Sequence, residues 1–115
     1  MTNAGSNLVR KIPEKIKMGG HTITVTRREL DKETVDGTVG VFGYFDSAKL
    51  EIHIDCNSPQ SLQWETYIHE ILEAVCFFTE TKLPHPTIQS FGLLLAQALD
   101  AGGHEEFGGS GVGGV

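Results

Sequence analysis

Apolar and polar residues alternate in the first half of the chain. Between residues 21 and 29, Ile23 and Val25 alternate with threonines, which is the period-two pattern of a strand with one buried face. A Gly-Gly pair at 19–20 separates this segment from the strand-like Lys15–Met18. Two such runs joined by two glycines predict a β-hairpin.

A second hairpin is predicted further along the chain. Residues 38–45 and 49–55 are strand-like segments joined by a short turn, and residues 30–37 before them are polar and rich in turn formers. His53 falls on the polar face of the last strand, so we expect it to be exposed.

Two amphipathic helices follow the hairpins. Ser58 is a good N-cap residue and Pro59 suits the first helical position, so the first helix is predicted to run from there to about Glu80. After a Leu-Pro break, the second is predicted from about residue 85 or 86 to 101. The predicted apolar stripes are Trp64, Ile68, Ile71, Val75 and Phe78 in the first helix, and Ile88, Phe91, Leu95 and Leu99 in the second. This order of elements predicts an α+β fold, a small antiparallel β-sheet of two hairpins covered on one face by two packed helices.

The composition predicts one folded domain between two flexible terminal segments. The chain has 115 residues, of which 39% are hydrophobic, enough for one domain with a modest core. Residues 1–10 are predicted to be a flexible leader and residues 11–101 to be the domain. Residues 102–115 contain seven glycines and one large apolar side chain, so this tail is predicted to be disordered.

Charge and cysteine content narrow the class of protein. The net charge is −6, and residues 51–115 carry nine acidic residues against a single lysine, which argues against nucleic-acid binding and favours a cation site. No apolar run is long enough to span a membrane, and no signal peptide is evident. With two cysteines in the whole chain, we expect a protein of the cytoplasm, or of the host cytoplasm if a phage encodes it.

The first predicted helix contains a His-Glu-x-x-Glu string that can bind a metal ion. His69 and Glu73 are one helical turn apart and outside the predicted apolar stripe, so both can ligate one ion. Glu70 projects about 100° away from His69, where a non-ligand carboxylate can lie beside water on the metal. His85, after the Leu-Pro break, is the candidate third ligand. The alternatives are an exposed His–Glu pair without metal, and Cys76 as a substitute ligand.

Three stretches of the chain share a pattern with a known family: LEIHID at 50–55, TYIHEILEAV at 66–75 and LPHPTIQSFGLLLAQAL at 83–99. They resemble the zincin metallopeptidases, specifically short gluzincin-like members from phages and prophages, over roughly residues 11–100. That family carries HExxH on the helix, often a Glu on the next helix as third ligand, and the Glu after the first His as general base. The resemblance implies zinc ligation by His69, with Glu70 as base.

The chain departs from the pattern of that family at the ligands. Glu73 occupies the position of the second His, and Gln89 falls near the usual third ligand, with His85 one turn earlier. We interpret this as an exchange, because HExxE followed by His again supplies two imidazoles and one carboxylate, a ligand set known for catalytic zinc. The resemblance also implies that an extended peptide pairs with the sheet edge, for which we expect residues 50–54.

The predicted function is that of a zinc metallopeptidase that hydrolyses peptide bonds through a zinc-activated water. The alternative is a phage-encoded interaction protein on a zincin scaffold, with structural or absent metal and no catalysis, which binds a host or virion protein. About 100 ordered residues leave little wall around a substrate cleft, which favours this alternative. A third hypothesis is self-association through an uncovered sheet edge.

Overall fold

The computed structural model describes residues 12–30, 34–35, 38–39 and 41–100, and within them six strands and two helices. The strands are β1 (Lys15–Met18), β2 (His21–Arg28), β3 (Thr34–Val35), β4 (Thr38–Val39), β5 (Gly43–Asp46) and β6 (Glu51–Asp55), and the helices are α1 (Gln60–Thr79) and α2 (His85–Leu99). The predicted leader, residues 1–10, and the predicted tail, residues 102–115, lie outside the described residues. Neither described helix is long and apolar enough to cross a membrane.

Four strands form one sheet in the order β1-β2-β6-β5. The first hairpin is confirmed: β1 and β2 are antiparallel, and Gly19 and Gly20 have φ angles of 59° and 82°, the two positive values that a type I′ turn requires. β5 and β6 are also antiparallel, but β2 and β6 run parallel. The α+β class is therefore confirmed, whereas the sheet is mixed and not purely antiparallel. Alternation of residues predicts the buried face of a strand but not the direction of its neighbour.

The parallel pair places β6 inside the sheet. Because β6 is flanked by β2 and β5, the prediction that residues 50–54 form an edge is wrong, and the edges are β1 and β5. The second hairpin is also shorter than predicted, since Thr38–Val39 pairs with Thr34–Val35 in a separate two-stranded sheet.

Side-chain hydrogen bonds join the end of β6 to the start of α1. The predicted cap is displaced by one residue: Pro59 occupies the N-cap position, and the Ser58 hydroxyl donates to the Asp55 carbonyl at 2.8 Å. The buried Gln63 donates from Nε2 to the Ser58 carbonyl at 2.8 Å. These bonds position the first turn of α1 over the sheet.

Helix α1 lies on the sheet, and α2 packs against α1. The core cluster consists of Ile23, Val25, Ile52, Ile54, Tyr67, Ile68, Ala74 and Ala96. Most of the predicted stripe of α1 is confirmed, since Ile68 belongs to the core and Trp64, Ile71 and Phe78 pack against it, whereas α2 is rotated from its predicted orientation. On α2 the buried stripe is Ile88, Gly92 and Ala96, whereas Phe91 and Leu99, which we expected to be buried, are 50% and 61% exposed. The residues of the buried stripe face α1, where Gly92 lies beside the backbone of His69.

Gly43, the first residue of the edge strand β5, lies directly against Thr66 of α1. A Cβ at this position would lie 2.8 Å from the carbonyl oxygen of His53 and would overlap the methyl group of Thr66. We therefore expect Gly43→Ala to lower the melting temperature by about 10 °C, the cost of overpacking a small domain. Gly92→Ala is the control, because a Cβ at Gly92 makes only an ordinary 3.5 Å contact with His69. Thermal unfolding followed by circular dichroism measures both; equal stability of the two variants would contradict this account of Gly43.

Candidate metal centre

The structure brings together the three residues that the sequence predicts as ligands. His69 and Glu73 lie one turn apart in the middle of α1, with 3.3 Å between Nε2 and Oε2. His85 is the first residue of α2, and its ring centroid lies 5.2 Å from that of His69. One ligand atom from each of the three residues lies within 4.8 Å of the other two.

The helix hairpin is responsible for this convergence. The chain leaves α1 at Glu80, whose left-handed backbone (φ 55°) ends the helix, and Pro84 precedes the first turn of α2. Further along α2, Gly92 lies beside the backbone of His69, so the two helices are in contact there. Because the two helices touch at this point, the start of α2 returns His85 to the middle of α1.

The donor set fits a zinc ion. Two imidazoles and one carboxylate form a ligand set of catalytic zinc sites that leaves a fourth position open. Burial lowers the pKa of His69, against the opposing effect of the negative Glu73, so the ring is neutral at neutral pH, which is the form that ligates metals. Cys76 does not belong to the group of clustered donors in the part of the chain that the structure describes.

Glu70 follows His69 in α1 and is a buried ionisable residue of the cleft. It is 7% exposed, and no side chain or backbone group among the described residues forms a hydrogen bond with its carboxyl group. Burial, and secondarily the negative charge of Glu73, raise the pKa of Glu70 to about 8. A buried carboxyl group without a partner is costly unless it is protonated or faces a cation. This environment also fits a cation bound beside it.

A cleft of about 660 Å³ opens beside these residues. One wall comes from the start of β5 and the residues before it, the floor from α1, and the other wall from α2. The lining residues are Val41, Phe42, Gly43, Leu62, Glu65, Thr66, His69, Glu70, His85, Gln89, Gly92 and Leu93. Three of the four predicted site residues, His69, Glu70 and His85, therefore face one cleft, while Glu73 joins them through its contact with His69.

Sequence reasoning missed Glu65 and the apolar walls of the cleft. Glu65 lies one turn before His69, so the same i,i+4 rule that pairs His69 with Glu73 could have found it. Phe42 and Leu93 belong to elements distant in sequence, and no local pattern indicates that they meet at the cleft.

His53, expected to be exposed, is buried in a hydrogen-bond network instead. Its Nδ1 accepts from Nε of Arg28 at 3.0 Å, so the ring proton lies on Nε2, which donates to Glu51 at 2.9 Å. The ring also stacks on Tyr44 at 4.7 Å. The neighbouring Ile52 points into the core, so His53 lies on the opposite face of the sheet from α1 and outside the metal centre.

Comparisons of the chain with protein-family models, with curated proteins and with solved structures found no match in any of the three. The resemblance to the zincin metallopeptidases rests on residues 50–55, 66–75 and 83–99. Membership of that family stays a prediction.

Proposed function

We propose that the protein is a zinc-dependent peptide hydrolase of the zincin type. His69, Glu73 and His85 would hold the ion, and Glu70 would be the general base. The observation that carries the proposal is the convergence of three ligand atoms within 4.8 Å beside a buried carboxyl group that has no hydrogen-bond partner among the described residues.

The residues of the chain have separate tasks in this proposal. Zinc, when bound, supplies a Lewis acid that polarises a carbonyl group and lowers the pKa of water. Glu70 accepts a proton from the attacking water on a carboxylate oxygen and passes it to the leaving amine. Its burial excludes bulk water from the proton transfer, and a cation nearby keeps it in the ionised form that a base requires.

The edge strand β5 is the proposed support for the substrate backbone. Among the described strands, β5 pairs with β6 alone, so its other side could pair with an extended peptide. Gly43, its first residue, lines the cleft, which would place such a peptide beside His69 and Glu70. The partner is accordingly a peptide or an unfolded segment of a protein.

Hydrolysis of a denatured protein substrate by the zinc-loaded chain tests this proposal. We expect fragments on gel electrophoresis with zinc present, no fragments after treatment with a chelator, and fragments again when zinc is restored. Protein that holds one equivalent of zinc and leaves a broad set of peptides intact would contradict the proposal.

A second candidate function is supported by the exposed face of α2. Phe91, Leu94, Leu95 and Leu99 are all at least 41% exposed, and residues 83–99 contain no charged side chain. An exposed, uncharged helix face of this kind is typical of a protein-binding surface. The alternative is therefore an interaction protein that binds an apolar surface of a partner protein through α2, with a structural metal or none.

We also propose that the protein acts in the cytoplasm. Both cysteines are free: Cys56 is exposed and Cys76 is half-buried. Unpaired cysteines of this kind are usual in a reducing compartment.

A further inference from the structure

The cleft contains a second carboxylate, Glu65, which lies one turn before His69 and outside the group of clustered ligand atoms. It lines the cleft together with the apolar side chains of Phe42, Leu62 and Leu93. We propose that Glu65 and these three side chains form a subsite for a lysine or arginine side chain of the bound peptide. This inference rests on the proposed function, because it assigns the class of peptide that the cleft accepts.

The position of Glu65 suits a side chain next to the reacting peptide bond. Glu65 and His69 are one turn apart on the same face of α1, with their Cβ atoms about 6 Å apart. An extended lysine or arginine side chain is of similar length. A peptide whose backbone passes His69 can therefore place its cationic group at the carboxylate of Glu65.

The apolar walls match the rest of such a side chain. Phe42 is 52% and Leu93 43% exposed, so both offer free apolar surface around the cleft. Lysine and arginine bury their methylene stems against apolar surface while their charged ends remain with a polar partner. The three apolar side chains can contact the methylene stem, and the carboxylate of Glu65 can pair with the charged end.

The charge of the cleft points to the same ligand. The lining includes the carboxyl groups of Glu65 and Glu70, and it includes no lysine or arginine among the residues that the structure describes. Glu65 is half-buried, and no hydrogen bond or ion pair among the described residues involves its carboxylate. An acidic substrate side chain would be repelled, and an uncharged one would desolvate Glu65 without compensation.

Peptide binding to the metal-free protein tests the subsite without dependence on catalysis. The probes are acetylated and amidated nonapeptides of alanine and glycine with lysine, norleucine or glutamate at the central position, titrated into labelled protein by NMR. Norleucine retains the apolar stem of lysine and lacks the charge. We expect the lysine peptide to bind roughly fivefold more tightly than the norleucine peptide, as a half-exposed ion pair does, and the glutamate peptide to bind most weakly.

Two variants distinguish Glu65 from the general negative charge of the protein. Glu65→Gln should make the lysine and norleucine peptides bind equally, whereas Glu14→Gln, which removes an exposed carboxylate outside the cleft, should retain the preference. Absence of a lysine preference in the wild type, its persistence in Glu65→Gln, or failure of every peptide to bind would overturn the subsite. Zinc content and cleavage, measured on the same preparation, report on the proposed function separately.

Discussion

Replacing Glu70 by glutamine is expected to slow peptide hydrolysis by about a hundredfold to ten-thousandfold, which is the contribution of a general base. Glutamine has the same shape as glutamate but cannot accept the proton. Glu70 does not belong to the group of clustered ligand atoms, so we expect Glu70→Gln to bind zinc as the wild type does. Initial rates of cleavage, measured at equal zinc occupancy, show whether the loss lies in catalysis.

This variant also separates the two candidate functions. Glu14→Gln, an exposed change outside the cleft, is the control and should cleave like the wild type. Full activity of Glu70→Gln would exclude Glu70 as the base. If a partner protein binds through α2, Glu70→Gln should leave that binding unchanged, because Glu70 does not belong to the exposed face of α2.

The metal-free protein is expected to lose stability as the pH rises, and Glu70 is the cause. The pKa of Glu70 is about 8 in the folded state, compared with 4.5 for an unperturbed glutamate. Between these two values the folded state keeps a proton that the unfolded state has released, so the stabilisation is complete below pH 4.5 and is lost as the pH rises through 8. One proton corresponds to about 1.4 kcal/mol per pH unit, or about 5 kcal/mol over the whole interval.

Urea unfolding at several pH values in the presence of a chelator measures this effect. The pKa of His69 is lowered, so His69 changes stability in the opposite direction, but only below its ordinary pKa of 6.5. Between pH 6.5 and 8 we therefore expect the free energy of unfolding to fall in the wild type and to stay level in Glu70→Gln. The control Glu80→Gln removes an exposed carboxylate at the end of α1 and should behave like the wild type. If the free energy of unfolding falls equally with pH in the wild type and in Glu70→Gln, Glu70 is not the cause of the pH dependence.

Local patterns in the sequence were sufficient to predict the first hairpin and the convergence of His69, Glu73 and His85. The Gly-Gly pair at 19–20 predicted a tight hairpin because only glycine adopts two consecutive positive φ angles easily. The pairing of His69 with Glu73 followed from helix geometry, and the Leu-Pro break before His85 predicted the return of the second helix.

Features that depend on contacts between distant segments could not be predicted. Neither the sequence of β2 nor that of β6 indicates that the two strands pair in parallel. The burial of Glu70 depends on how α1 packs against the other elements, which its own sequence does not reveal. The predicted stripe of α1 contains Val75, which is exposed, and omits Gln63, which is buried through hydrogen bonds to the β6–α1 loop.

The central claim is that His69, Glu73 and His85 bind one zinc ion. The most direct test is the metal content of protein purified without a histidine tag, determined by elemental analysis, with His69→Ala and His21→Ala alongside. His21 is an exposed histidine that stacks on Phe78 in another part of the fold, so its removal controls for the loss of any histidine. We predict one equivalent of zinc in the wild type and in His21→Ala, and none in His69→Ala. Folded wild-type protein that neither contains zinc nor takes it up on addition would contradict the claim.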